Sequence, residues 1–377
     1  MNILLTGFRF DTIGGLEIVS ANIADSLVAL GHEVQCGAVH GHRTIDKSGY
    51  RIVGLLPESR WLRGLAVRSR FFYPRRKLRE LVAWADVVIA CHCHTLPLVL
   101  ECRGDHAKRP PVVAWLHGRE VWGKFGDDFA ESLKQADRLV AVSHYTSDTV
   151  TKLLGTGVRP AVIHNSIDTE FFRPSPSQDI RRMSVLTVGR HDAGTEHKGY
   201  DMLIDAVALL RQRSPSLELT LRITGDGPLL RTLRQRAQDL GISNSVEFTG
   251  AVSKSTLQSL YATCDLFAFP SRVSRCGNDI HGEGFGVVNI EAAACGRPVL
   301  TSTHGGCPET IVDGVTGLLV DPTSVQAVAD GLEQVFRMTP EERDAMGRRG
   351  RQHVLENFSH ATLANNIAEL LHGLEVG

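Results

Sequence analysis

The chain has 377 residues, of which 42% are apolar and 22% charged. That suits a soluble globular protein of about two domains at roughly 150 residues each, and it excludes wholesale disorder. Forty-one Lys+Arg against 42 Asp+Glu leave a net charge of −1, which argues against a general nucleic-acid binder; no apolar run approaches the roughly 18 residues of a membrane span.

NILLTG, near the N-terminus, follows no basic leader and reads as a buried first strand, not a secretory signal. Val19, Ile23, Leu27 and Leu30 then recur at helical spacing up to Gly31. Further strands are expected at VQCGAV, DVVIAC, VVAWLHG and RLVAVS. Short apolar runs separated by helical stretches imply parallel strands covered on both faces. The second half restarts the pattern with a strand at MSVLTVGR and a helix from about Lys198 to Arg213. The strand LELTLRITG and a helix over Leu229–Leu240 follow. After VEFTG, residues Leu257, Leu260, Tyr261 and Cys264 share one helical face, and LFAFPS, RPVLTS and TGLLVD complete the strands. The Pro- and Ser-rich TEFFRPSPSQDIRR between the halves reads as a linker. The expected organisation is a first domain over residues 1–168, a linker over 169–182 and a second domain over 183–358. A last helix over 359–377 packs back on one of the domains. The eight scattered cysteines have no framework spacing and read as free thiols of a reducing cytoplasm.

Residues 60–79 hold eight basic residues and no acid, among them Arg63, Arg68, Arg75 and Arg76, interleaved with Trp61, Phe71, Phe72 and Tyr73. Basic and aromatic residues together suit an anionic membrane surface; a solvated face or a site for a phosphorylated acceptor is the other reading. Pro74 argues against one continuous amphipathic helix. Cys91, His92, Cys93 and His94 resemble a metal cluster, but alternate strand residues face opposite sides, so the expectation is a packing or cleft-lining role. TGDGPLL lacks the third glycine of a dinucleotide fingerprint, and no Walker lysine motif occurs, so hydride transfer is not supported. The chain contains no Asp-x-Asp, which argues against a metal-clamped sugar-nucleotide site.

GEGFGVVNIEAAACGRPVL, residues 282–300, carries the most chemical information. Glu283 and Glu291 bracket a Gly-Phe-Gly turn running into a helix, whose free N–H groups make an anion site. Glu291 is expected about two turns into that helix, where a carboxylate can take both hydroxyls of a diol. Arg190 closes the strand MSVLTVGR and Lys198 starts the next helix, so two cations at one sheet end can neutralise a diphosphate. Gly14 and Gly15 follow the first strand, and His117 follows VVAWL.

With GG-x-E and GHEV in residues 14–34, LHG at 116–118, HNSID at 164–168, VGR…KG at 188–199, GDGP at 225–228, FTGAVS, FPS, the Glu-x7-Glu segment and GG-x-PE at 305–309, the sequence resembles the family 4 retaining glycosyltransferases. The resemblance implies an α/β protein of GT-B fold, two doubly wound Rossmann-like domains facing across a cleft, the first on the acceptor side and the second binding the nucleotide sugar. It implies that Arg190 and Lys198 hold the donor diphosphate and that Glu283 contacts the hexose. The N–H groups of Phe285, Gly286, Val287 and Val288 would bind phosphate and sugar hydroxyls, with Glu291 on the ribose and Val252 near the base. On the acceptor side, His117 would orient the donor sugar, Gly14 and Gly15 would close over the β-phosphate, and Asp11 would lie near the acceptor. It implies retention of the anomeric configuration and no metal or other cofactor.

The expected activity is hexose transfer from a GDP-mannose or UDP-glucose type donor to a glycan or lipid-linked glycan, in polysaccharide or glycolipid synthesis, by a cytoplasmic protein at the inner face of the membrane. The alternatives are a nucleotide-sugar-binding protein without transfer and an epimerase or phosphorylase of the same fold. Two departures stand out. Seven residues separate Arg190 from Lys198, and RVSRCGNDIH lengthens the chain before GEGFG, where Arg272, Arg275, Asn278 or Asp279 are placed to shape donor choice.

Overall fold

The computed structural model describes residues 1–10, 14–41, 43–56, 72–104, 109–123, 126–155, 157–175, 183–277 and 279–375. They form two compact units, one of Met1–Ser166 with His360–Gly377 and one of Ile167–Ser359.

In the first unit, β1 (Asn2–Gly7) runs centrally because Ile3, Leu4 and Leu5 are all fully buried, the signature of a strand covered on both faces. It pairs in parallel with β2 (Glu33–Ala38) on one side and β5 (Val87–Ala90) on the other, with Leu5 opposite Cys36 and Ile89. The hairpin of β3 (Thr44–Lys47) and β4 (Tyr50–Gly54) and the strands β6 (Val112–Leu116), β7 (Arg138–Ala141) and β8 (Ala161–Val162) complete the order β3-β4-β2-β1-β5-β6-β7-β8, antiparallel only at β3. The helices are α1 (Gly15–Ala29), α2 (Phe72–Trp84), α3 (Leu96–Arg103), α4 (Arg119–Trp122), α5 (Asp127–Gln135) and α6 (His144–Leu154).

The second unit is parallel throughout its main sheet. Its strands β9 (Met183–Val188), β10 (Leu219–Thr224), β11 (Val246–Gly250) and β12 (Leu266–Phe269) are joined later in the chain by β15 (Val299–Ser302) and β16 (Gly317–Val320), in the order β11-β10-β9-β12-β15-β16. A short antiparallel hairpin, β13 (Ser274–Cys276) and β14 (Asp279–His281), intervenes in sequence. Helices α7 (Tyr200–Arg213), α8 (Leu229–Asp239), α9 (Lys254–Thr263), α10 (Val287–Ala294), α11 (Val325–Arg337) and α12 (Pro340–Asn357) surround the sheet. Leu203, Ile204 and Val207 of α7 pack with Val185, Leu221 and Val328 in one buried core. In the segment expected to link the domains, Phe172 is buried and its carbonyl accepts from Arg351 at 3.1 Å, so the apolar part of that segment packs within this unit. Residues 176–182 lie outside the described residues.

The chain then returns to the first unit through α13 (His360–Glu375). Leu363, Ile367 and Leu371 recur every four residues, are buried, and lay the helix on α1. Ser166 and His360 are hydrogen-bonded at 3.0 Å, and Asn22 of α1 donates to the Ser166 carbonyl at 2.9 Å, fixing the point of return. Among the described residues no helix is long and apolar enough to cross a membrane. Ile367 is 0% exposed. Ile367→Ala is therefore expected to cost about 2–4 kcal/mol through lost burial and a cavity, measured by denaturant unfolding of the whole protein.

Candidate functional site

In a sheet of order 3-2-1-4-5-6, ligands gather at the carboxyl ends of the strands where the order reverses. In the second unit that point lies between β9 and β12. From β9 the chain passes through Arg190 into a loop closed by Thr195, whose hydroxyl donates to the carbonyls of Arg190 at 3.1 Å and Asp192 at 2.7 Å. The backbone of His191 donates to the Asp226 carbonyl at 3.0 Å and its own carbonyl accepts from Leu229 at 3.0 Å, which ties the loop to the turn before α8. His191 is fully buried, and that burial lowers its pKa.

Lys198 does not begin a helix as its sequence suggests. It ends a 3-10 turn, Glu196–Lys198, and Gly199 at φ +79° separates it from α7. A side chain on Gly199 would collide with the Pro270 carbonyl at the exit of β12. Only glycine allows that approach, and it sets the lysine at the junction of the two strands. The Lys198 ammonium lies 5.4 Å from the centre of the buried Phe269 ring and 3.5 Å from Glu283 Oε2. The two side chains are 18% and 26% exposed, so the pair is partly desolvated. Arg190, in contrast, is 75% exposed and 3.4 Å from Asp192.

Glu283 precedes α10, which begins at Val287 after Gly286. Glu291 is thus the fifth residue of the helix, about one turn in and not two, because GEGF is loop and not helix. The N–H groups of Val287 and Val288, at the start of the helix, have no intrahelical acceptor, whereas that of Asn289 donates to the Gly286 carbonyl at 2.9 Å. Asn289 holds this turn in place: fully buried, it donates through Nδ2 to the hydroxyls of Thr301 and Thr310, each at 3.0 Å. Phe285 is 2% exposed with its ring against Phe358, so only its backbone is offered to a ligand. Tyr261, fully buried on α9, donates to Glu291 Oε2 at 2.8 Å. Burial pushes the Glu291 carboxyl up to about 7, against the opposing pull of the tyrosine hydrogen bond and the Lys254 charge. Val252 is half-buried between β11 and α9.

The second unit therefore brings together Lys198, Glu283 and the start of α10, with Glu291 one turn further along. Asn289 and Tyr261, which hold these groups, were missed from the sequence because a buried Asn and an aromatic on a helical face look like ordinary core.

The first unit carries the remaining candidates. Gly14 caps α1 in extended conformation and Gly15 opens it, at the carboxyl end of β1. His117 is half-buried after β6; its Nε2–H donates to the Cys91 carbonyl at 2.6 Å, leaving Nδ1 as the other ring nitrogen. The order of this sheet reverses between β1 and β5, where the Phe8 and His92 rings meet at 4.2 Å between centroids, tilted by 45°. Burial, with help from the neighbouring His94, His117 and His40, pushes His92 down to about 4. Its Nδ1 accepts from the His94 backbone. Cys91 and Cys93 are buried thiols held up by the same desolvation. On α2, Arg75 pairs with Glu101 at 2.7 Å, while Arg76 is 85% exposed and reaches Glu80 at 3.5 Å. Asp11, Arg63 and Arg68 lie outside the described residues, as does Asn278.

Two family descriptions match the chain: Glycosyl transferases group 1 over residues 169–353 and Glycosyltransferase Family 4 over residues 13–171. The GDP-mannose-dependent alpha-(1-6)-phosphatidylinositol monomannoside mannosyltransferase of Mycolicibacterium smegmatis is 33% identical, over 89% of this chain and 88% of its own. Among solved structures, Anabaena Alr3699/HepE in complex with UDP and glucose matches with a TM-score of 0.76 at 23% identity, covering 99% of this chain and 100% of that one. Sucrose-phosphate synthase from Thermosynechococcus elongatus matches with a TM-score of 0.79 at 19% identity, covering 100% and 99%. These likenesses establish the GT-B fold.

Because the tyrosine hydrogen bond holds the charged form of Glu291, Tyr261→Phe is expected to move its titration above about 7. Carboxyl-carbon NMR of Glu291 across pH 5–9 would read the midpoint; an unchanged or lower one would remove Tyr261 from the site.

Proposed function

This chain belongs to the family 4, group 1 glycosyltransferases, and we propose that it transfers mannose from GDP-mannose to a lipid-linked acceptor, retaining the donor's anomeric configuration and using no metal. The observation that carries the site is the fixed Lys198 ammonium beside Glu283, at the same sheet end as the start of α10. A nucleotide sugar offers what this arrangement suits. Its diphosphate meets Lys198, Arg190 and the N–H groups from Phe285 to Val288, its hexose hydroxyls meet Glu283, and its ribose diol meets Glu291. Val252 lies toward the base. The donor choice rests on the Mycolicibacterium relative, whose name specifies GDP-mannose and a phosphatidylinositol mannoside.

In the proposed reaction the bond between the anomeric carbon and the β-phosphate oxygen breaks. The acceptor hydroxyl attacks from the same face, and its proton passes to the departing phosphate. The leaving group gains negative charge, and Lys198 and Arg190 neutralise it as built-in cations. Both belong to a chain that has no Asp-x-Asp to clamp a divalent ion. His117 orients the hexose, and Gly14 and Gly15, at the start of α1, offer backbone to the β-phosphate. Asp11 belongs to the acceptor side.

A lipid-linked acceptor implies work at a membrane surface, and the basic, aromatic residues 60–79 supply a peripheral contact at the inner leaflet. Arg76 is exposed and suited to it, whereas Arg75 is already paired with Glu101.

Without divalent metal, GDP is expected to raise the melting temperature while UDP, ADP and TDP do not, and Lys198→Ala is expected to lower GDP affinity at least tenfold. Stabilisation by UDP alone would reassign the donor, and an unaffected Lys198→Ala would remove the diphosphate site. Replacing Arg63, Arg68, Arg75 and Arg76 together by Ala is expected to cut binding to vesicles of anionic phospholipid at least tenfold, at roughly 1 kcal/mol per basic residue near the surface. Unchanged sedimentation with the vesicles would dismiss the membrane contact.

A further inference from the structure

Lys198 is a long, flexible side chain on a turn, yet its ammonium is placed beside Glu283. What sets that placement lies at the root of the inserted hairpin. The backbone N–H of Arg272 donates to the His197 carbonyl at 2.7 Å, gripping the residue before Lys198. The Arg272 guanidinium forks onto both oxygens of Asp201, at 3.0 and 2.9 Å, gripping the first turn of α7 just after Lys198. Asp201 sits where the helix dipole also favours a carboxylate. With Gly199 against the Pro270 carbonyl, the lysine is thus held on both sides by residues 270–272.

The next residue reaches the other partner of the ion pair. The Val273 N–H donates to His304 Nδ1 at 3.3 Å. Two residues beyond His304, the Gly306 N–H donates to the Glu283 carbonyl at 3.0 Å. Residues 272 and 273 therefore join the turn that carries Lys198 to the loop that carries Glu283. The Arg272 and Asp201 side chains are 22% and 34% exposed, so this fork is partly shielded and geometrically specific, unlike an open surface pair.

We infer that Arg272 is a positioning residue for Lys198, its fork to Asp201 setting where the Lys198 ammonium stands relative to Glu283 and to a nucleoside diphosphate. Arg272 acts through Lys198 and touches no substrate. The inference rests on the reading of Lys198 as the diphosphate cation. A lysine at position 272 keeps the charge but loses the bidentate geometry.

The test is GDP affinity by calorimetry, with melting temperatures, for Arg272→Met, Arg272→Lys, Asp201→Asn and Lys198→Ala, and for Arg272→Met combined with Lys198→Ala. Arg272→Met and Asp201→Asn are each expected to weaken GDP binding about 10–100-fold, and Arg272→Lys to recover only part of it. In the Lys198→Ala background, Arg272→Met is expected to change affinity less than twofold, since nothing is left for it to position. If the two losses instead multiply, or Arg272→Met leaves affinity unchanged while Lys198→Ala lowers it, Arg272 does not act through Lys198 and the proposal fails. If Lys198→Ala is itself without effect, or the parent protein does not bind GDP, the donor-site reading fails and the proposal with it. A fall in melting temperature that is equal in both backgrounds would report a structural contribution of Arg272. That contribution is separate from the affinity coupling, which alone decides.

Discussion

The arrangement of the second unit turns on a cation lodged where a sheet changes direction. A lysine whose side chain is only 18% exposed, with its ammonium set over an aromatic ring, loses part of its hydration, and one carboxylate 3.5 Å away compensates for it. The pair works only if both partners are held, and the surrounding bonds do that holding. Thr195 closes the loop on one side, and Asn289 anchors the helix that follows Glu283 on the other. Because these supports are hydrogen bonds that close the loop on itself and tie the helix to its neighbours, the charge sits in a fixed place before any ligand arrives. Electrostatic stabilisation of a leaving group needs that, since a cation that must first be moved has already spent part of its effect on reorganisation.

Burial sets a second condition at the same end of the sheet. Glu291 is a carboxyl whose environment favours the neutral form, so around neutral pH small changes in its surroundings shift its protonation. His92 in the first unit shows the same physics with the opposite sign. Desolvation lowers its pKa and so favours the neutral ring, which lies tilted against Phe8. Neither behaviour follows from residue type. Each comes from what the fold packs around the group.

Much of the fold was legible because its strands are apolar runs bounded by glycines, and a parallel sheet covered on both faces leaves that mark. What escaped had no such mark. The hairpin of Thr44–Lys47 and Tyr50–Gly54 opens with an exposed, polar edge strand, so its pattern carries little hydrophobic signal. Helix Pro340–Asn357 is mostly polar and contains Gly347 and Gly350, which read as breakers. In the structure a side chain at Gly347 would strike the Gly296 carbonyl, so the glycine serves close packing, while Thr339 and Glu342 cap the start reciprocally. At the site, Lys198, Glu283 and Glu291 could be singled out by charge and spacing. The length of helix before Glu291 could not, since the turn GEGF has no feature that marks where helical geometry begins. Arg272 was visible only as part of an insertion, because its partner Asp201 lies 71 residues away.

The last helix, His360–Glu375, has a bearing on how the chain is made. The first unit contains β1 and α1 near the beginning of the sequence, yet the face of α1 that α13 covers finds its partner only in the final residues. During synthesis, at roughly 5–20 residues per second, the early part of that unit emerges and must wait through the whole of Ile167–Ser359 before its cover exists. The later-made unit, uninterrupted in sequence, can close first. The unit begun first is thus the one completed last, and α1 stands uncovered in the interval.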